Sequence, residues 1–283
     1  MGKMIRFEFD KLFRQRSFYI CIIVAVVMII LSAASLKLIE KLTEDMTNDS
    51  PTVYENVEET GEPDEDGITV EYDVSNDYTM NYTGWNLTGK AVTMSSFSII
   101  ICVFISIFVC SEFEEGTIKN IISRGYGRYK IYISKYISSM VGVCVIFAAV
   151  HISMFIVASI LWKPGNMDRN LEMILYYLAA YLAYATIYFF LSMVFAKFGL
   201  SITIGIVGPT FVNITVSVLN MLLKLDNPKI SDFWIDGFMS DIANIGYFES
   251  PDSTRLTVIL IGSIIYLVVF FLMGMLVNRK REV

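Results

Sequence analysis

Long apolar runs alternate with short charged stretches along the whole chain, and six of the runs are long enough to cross a bilayer as helices. A helical span takes roughly 20 apolar residues, because every backbone amide must find its partner inside the segment where no water is available. The runs fall at about 17–38, 91–111, 136–162, 171–196, 199–224 and 256–277, and the last, LTVILIGSIIYLVVFFLMGMLV, carries no charge at all. This pattern predicts an all-α integral membrane protein of six transmembrane helices.

The polar stretches between the runs have characters of their own. Residues 1–16, MGKMIRFEFDKLFRQR, set Ile5, Phe9, Leu12 and Phe13 at helical spacing opposite a basic face, which predicts an amphipathic helix in the inner interface. Residues 39–90 are the longest non-membrane segment. Within it TVYENV at 52–57 and ITVEYDV at 68–74 are β-branched and aromatic, and Asp66-Gly67 is a turn pair, so a small extracellular β-hairpin is expected. Residues 112–135 form a cytoplasmic segment, 225–255 mix aromatics with six acids in the manner of short helices dipping into the outer interface, and 278–283 are a cytoplasmic tail. The fifth run is irregular: Gly205, Gly208 and Pro209 loosen the helix, and Asn213, Ser217 and Asn220 follow. Polar groups in a span must face protein or water, which makes Pro209, Asn213, Ser217 and Asn220 candidates for a translocation path, with packing against a neighbouring helix as the alternative.

Composition agrees with the pattern: 55% hydrophobic and 14% aromatic residues exclude an ordinary soluble domain. Charge adds an orientation. Net charge is −6, yet residues 39–90 hold 14 acids against Lys41 and Lys90, so the remainder is basic. With the N-terminus inside, 14 of the 22 Lys and Arg residues fall in the cytoplasmic pieces, so both termini are expected in the cytoplasm of what is then a multi-pass, bacterial-type cell membrane protein. Cys21, Cys102, Cys110 and Cys144 all lie within apolar runs, and no disulfide framework is implied.

Catalytic chemistry finds little to work with. His151, the one histidine, lies in the third run with no partner nearby in sequence, and reads as a packed helix residue. Glu62, Asp64, Asp66, Gly67 and Asp73 approximate a calcium loop but depart from it at both ends, and read as a solvated acidic turn. Gly84, Gly89 and Lys90 match the spacing of a phosphate-binding loop, but Ala91 replaces the magnesium-binding hydroxyl. Asn81-Tyr-Thr and Asn86-Leu-Thr are glycosylation triplets of a kind common by chance. No enzyme, metal site, resident cofactor or nucleic-acid partner is expected.

The segment EFEEGTIKNIISRGYGRYKIYISK at 112–135 stands out. Gly116 and Thr117 can start a short helix with Ile118, Ile121 and Ile122 on one face, and Gly125 can end it; acids precede it and Arg124, Arg128, Lys130 and Lys135 follow, in keeping with the helix dipole. An apolar face presented to the cytosol is one reading, and an ordinary charged loop is the other. The string resembles the segment after the second span in ABC-2 type permeases, the membrane subunits of ATP-binding-cassette exporters. The matching residues are Glu112, Glu115, Gly116, Thr117, Ile118 to Ile122, Gly125, Arg128 and Lys135. That resemblance implies a coupling helix at Glu115–Gly125 docking on a cytoplasmic ATPase subunit that binds ATP and magnesium. It further implies a second permease copy, and export or expulsion of an amphipathic substrate such as an antimicrobial, lantibiotic-type peptide. A membrane sensor using residues 39–90, or an ion-coupled carrier, are the competing expectations.

Overall fold

The computed structural model describes residues 2–49, 83–94, 96–165, 170–223, 229–245 and 253–280. The hairpin, calcium-like loop and Asn81 triplet expected from the sequence lie outside the described residues. Among the described residues the chain is helical, and six helices are long and apolar enough to cross a membrane. In chain order the elements are α1 (Gly2–Arg14), α2 (Arg16–Asp49), α3 (Gly84–Gly89), α4 (Ala91–Met94), α5 (Phe97–Glu114), α6 (Thr117–Ser123), α7 (Arg128–Leu161), α8 (Asn170–Phe195) and α9 (Phe198–Leu223). A 3₁₀ turn (Ile230–Phe233), α10 (Ile235–Ile245) and α11 (Ser253–Lys280) complete it. The spans are α2, α5, α7, α8, α9 and α11.

Two helices organise the packing. Helix α7 gathers α1, α2 and α3, while α8 gathers α5, α9, α10 and α11. Neither has a single apolar stripe, in keeping with packing on several sides, while Ile152, Ile156 and Ile160 leave one side of α7 bare. Along α8, Tyr177, Tyr181, Tyr184 and Tyr188 recur at helical spacing and are all buried, their rings stepping down the helix at 5.6 to 6.4 Å between neighbours. Where α5, α8 and α9 converge, the small side chains Ser106, Ser192 and Ser201 replace bulk with mutual hydrogen bonds of 2.8 to 3.5 Å. Hydroxyl bonds of this kind hold helices together where burial from lipid offers no driving force.

Three elements differ from the sequence reading. The second span begins at Phe97 rather than 91, because the chain breaks at Ser96, whose φ is +50°. The apolar residues before the break form α3 and α4, which lie against α7, with Leu87, Ala91 and Val92 buried. The Gly84–Ala91 stretch that mimics a phosphate loop is thus largely helical, and Thr88 of the Asn86 triplet is buried with its hydroxyl donating to the Gly84 carbonyl at 2.6 Å. The helix that carries the third span begins ahead of 136, at Arg128, so the last third of the 112–135 segment is the foot of α7. Finally, α1 buries Met4, Glu8 and Leu12 against α7, a stripe shifted from the expected one and centred on a carboxylate, while Phe13 is exposed.

Candidate functional site

Glu112 lies in the last turn of α5 and Lys135 sits two turns into α7, so two antiparallel helices bring both ends of the 112–135 segment together. Lys135 Nζ lies 2.5 Å from Glu112 Oε2 and 3.6 Å from Glu8 Oε2, and Glu112 Oε1 accepts from Lys11 Nζ at 2.5 Å. The two ammonium groups also flank one aromatic ring, 5.4 and 5.3 Å from the centroid of Phe108. Glu8, Glu112 and Lys135 are almost wholly inaccessible, with only Lys11 reaching the surface. Two acids and two bases leave no net charge, which is the condition for holding ions away from water. Burial pushes the Glu8 carboxyl above its ordinary value against the pull of Lys135, and burial likewise lowers Lys11. The arrangement clamps α1, α5 and α7 at one point.

Above the clamp the chain makes a compact excursion. Gly116, at φ +67°, turns it out of α5, and Gly125, at φ +87°, turns it back towards α7; both conformations disfavour any residue with a Cβ. Between them α6 runs Thr117–Ser123, and the Thr117 hydroxyl donates back to the Glu112 carbonyl at 3.2 Å. Its apolar face does not point outwards. Ile118 is buried, and Ile118 and Ile122 help line a small cavity with Phe113, Ile131, Tyr132 and Met193, while Ile121 is half-buried at the edge. The exposed groups are Lys119, Asn120, Ser123, Arg124 and Tyr126. An apolar face presented to solvent is therefore replaced by a polar, basic one, because the isoleucines are used to seat α6 on its own protein.

The neighbouring span ends are tied to this platform. Glu114 accepts from the Phe198 backbone N–H at 2.8 Å, capping α9, and Asn278 of α11 donates to the Arg128 carbonyl at 3.2 Å. Glu115 is exposed and borders, with Phe7, Asp10, Lys11, Arg14 and Ser111, an open groove of about 490 Å³ between α1 and the end of α5.

The other candidates occupy a different place. Of Pro209, Asn213, Ser217 and Asn220, the two asparagines meet the 3₁₀ turn and α10 (residues 229–245), the re-entrant segment expected from the sequence. Asn213 Nδ2 donates to Asp236 at 2.5 Å, Asn220 Oδ1 accepts from the Ile230 N–H at 2.9 Å and its Nδ2 donates to Ser231 at 3.2 Å. Pro209 is half-buried and Ser217 exposed. His151 donates through Nδ1 to the Phe147 carbonyl at 2.9 Å and stacks on that ring, which leaves Nε2 as a buried acceptor.

Sequence reasoning missed Asp236. It opens α10 and also accepts from Tyr184 of α8 and, at 3.3 Å, from Trp234 Nε1. Asn213 lies roughly 22 Å along α9 from Phe198 at about 1.5 Å per residue, so the re-entrant segment carries this carboxyl deep into the helical bundle. Burial lifts it to about 6. The one available signal was the Trp-Ile-Asp-Gly string, in which an acid precedes a glycine at the start of an amphipathic stretch. Gly237 is required there: a Cβ would meet the Ser231 carbonyl oxygen at 1.9 Å.

The sequence profile of a family described as a protein of unknown function, DUF2705, matches residues 68–283. No curated protein and no solved structure matches the chain.

Proposed function

This chain belongs to the DUF2705 family, and we propose that it is the membrane subunit of an ATP-driven exporter, with α6 as the element that meets a separate cytoplasmic ATPase. The observation that carries this reading is the mounting of α6: a short helix set outside the spans by two left-handed glycines, seated by Ile118, and joined at its base to α5, α7 and α1 by the buried Glu112–Lys135 clamp. A push on α6 is thereby delivered to two spans at once. Its ABC-2-like sequence supports the same role, as does the collection of Lys3, Arg6, Arg14, Lys119, Arg124 and Lys130 on this side, which favours the cytoplasm. Hydrolysis, ATP and magnesium belong to the partner. The substrate proposed is an amphipathic, antimicrobial-type peptide, expelled at the cell membrane.

Contact with the ATPase falls to the outward face, Lys119, Arg124 and Tyr126, rather than to the isoleucines. Lys119→Glu combined with Arg124→Glu is expected to lower copurification of the ATPase from mild detergent at least tenfold, with the elution profile of the membrane subunit unchanged. Equal recovery, or export that persists in ATP-depleted cells, refutes the reading. A carrier driven by protons is the second reading, favoured by Asp236; collapse of the proton gradient at constant ATP abolishes transport only in that case.

A further inference from the structure

The re-entrant segment is fastened to the bundle by polar contacts of two kinds. Arg255 of α11 holds it by charge on either side of Asp236: it grips Asp241 through Nε at 2.7 Å and through Nη2, and reaches back to the Asp232 carbonyl at 3.0 Å and carboxylate at 4.0 Å. Between those two acids, Asp236 is held by neutral groups alone, Tyr184, Asn213 and Trp234. The groups facing Asp236 can be taken element by element. From α8 come Tyr181 and Tyr184, both neutral phenols; α9 has no charged residue; the 3₁₀ turn has Asp232, and Lys229 just before it is exposed. Helix α10 has Asp241 and α11 has Arg255, which are engaged with each other, and Tyr266, which packs edge-on against Trp234 at 5.9 Å. Among the described residues no cation compensates the Asp236 carboxylate.

An ionised carboxylate in such a place is costly, and relief comes from gaining a proton or from returning to water. The neutral acid keeps all three contacts by reversing the bond to Tyr184, whose own proton then turns away from Asp236. Its Oδ1–H donates to the Tyr184 oxygen, which can accept as well as donate, while Oδ2 goes on accepting from Asn213 and Trp234. The anion gains most from solvation. We propose that Asp236 is a proton-binding site that latches α10 into the bundle: protonated, it holds the re-entrant helix closed, and ionised, it favours release of that helix towards the outer medium. The sign is fixed by linkage, since the state that binds the proton more tightly is the state acid stabilises. This device is independent of whether ATP or an ion gradient drives the protein.

The test uses the full chain in lipid nanodiscs. Ile235, the first residue of α10, is fully buried, and Phe233 just before it is exposed. Cysteines introduced as Ile235→Cys and, separately, Phe233→Cys are reacted with a thiol reagent, and the ratio of their rates removes the reagent's own pH dependence. The ratio is expected to rise about tenfold from pH 5 to pH 7.5, as for a carboxyl that titrates near 6 when enclosed and near 4 when solvated. Asp236→Asn should hold the ratio at its low value across the range. Tyr184→Phe, which removes the acceptor for the acid proton, should raise the ratio at pH 5. A flat ratio with Asp236 present, or an undiminished rise in Asp236→Asn, overturns the proposal. Should Asp236→Asn not fold, an unchanged ratio at pH 5 in Tyr184→Phe overturns it instead.

Discussion

At the residue scale, the protein handles charge in two opposite ways. Lys135 is compensated by two carboxylates, whereas among the described residues no cation compensates Asp236, and the two sites should respond differently to substitution. Lys135→Met leaves Glu8 and Glu112 buried with only Lys11 between them, a loss of about 3–5 kcal/mol. The thermal midpoint of the detergent-solubilised chain should fall accordingly, and fall less for Lys11→Met, whose ammonium reaches solvent. Equal midpoints for wild type and Lys135→Met would show that the cluster holds nothing. Neither site was visible in the sequence as a site. Glu112 and Lys135 were both legible as bounds of a charged segment, but their pairing depends on α7 starting at Arg128, and a hydropathy window cannot see a helix start among charged residues. Glu8 was hidden because the apolar positions of α1 suggested a face one step round the helix from the one that is buried.

At the scale of elements, α6 shows how a sequence can suggest the ends of a helix and mislead about its face. Gly116 and Gly125 stand at its two turns for a reason readable from residue type, the cost of a Cβ at positive φ. Which way Ile118 points is decided by Phe113, Ile131 and Met193, residues of other elements that no local pattern contains. A helix of seven residues has no stability of its own, so its order depends on that seat. Ile118→Ala should therefore speed tryptic cleavage after Lys119 and Arg124 several-fold in nanodiscs, while cleavage after Arg14 stays constant. An unchanged cleavage pattern would mean that the glycine turns alone hold α6. The re-entrant segment was legible as aromatic and interfacial, but its depth was not, because Asp236 and Asp241 lower the hydropathy of a stretch whose other side is buried at Ile235, Phe238 and Ile242.

At the scale of the molecule, the six spans are plain in the sequence because bilayer thickness imposes their length. Their arrangement is not, since α7 and α8 have apolar residues on every side and carry no single directional stripe. The finished bundle is lopsided: α5 and α8 are well covered, whereas α2, α11 and above all α9 are bare over most of their surfaces. On α11 the bare positions between Leu260 and Leu276 are aliphatic side chains and Met273, suited to lipid, with the exposed Thr254 and Thr257 confined to its first turns. On α9 they include Thr203, Thr210 and Ser217 at seven-residue intervals, small hydroxyl residues of the kind that favour helix against helix. The second copy expected of a thin six-span subunit should pack there. Thr210→Cys is expected to give an oxidant-dependent covalent dimer in membranes, and Leu260→Cys on α11 much less; the reverse ranking would move the interface.

Helix α2 runs unbroken for 34 residues, about 51 Å, against a hydrocarbon core of roughly 30 Å. It starts beside α1 and the buried ion cluster, and it is braced near the far side, where Glu40 accepts from Trp162 Nε1 at 2.8 Å and Lys37 lies over the same indole. Such a rod is a lever. Each degree of tilt about its foot sweeps its tip through roughly 0.9 Å, so a tilt of a few degrees, shared with the end of α7 through Trp162, moves the end of α2 by several ångströms.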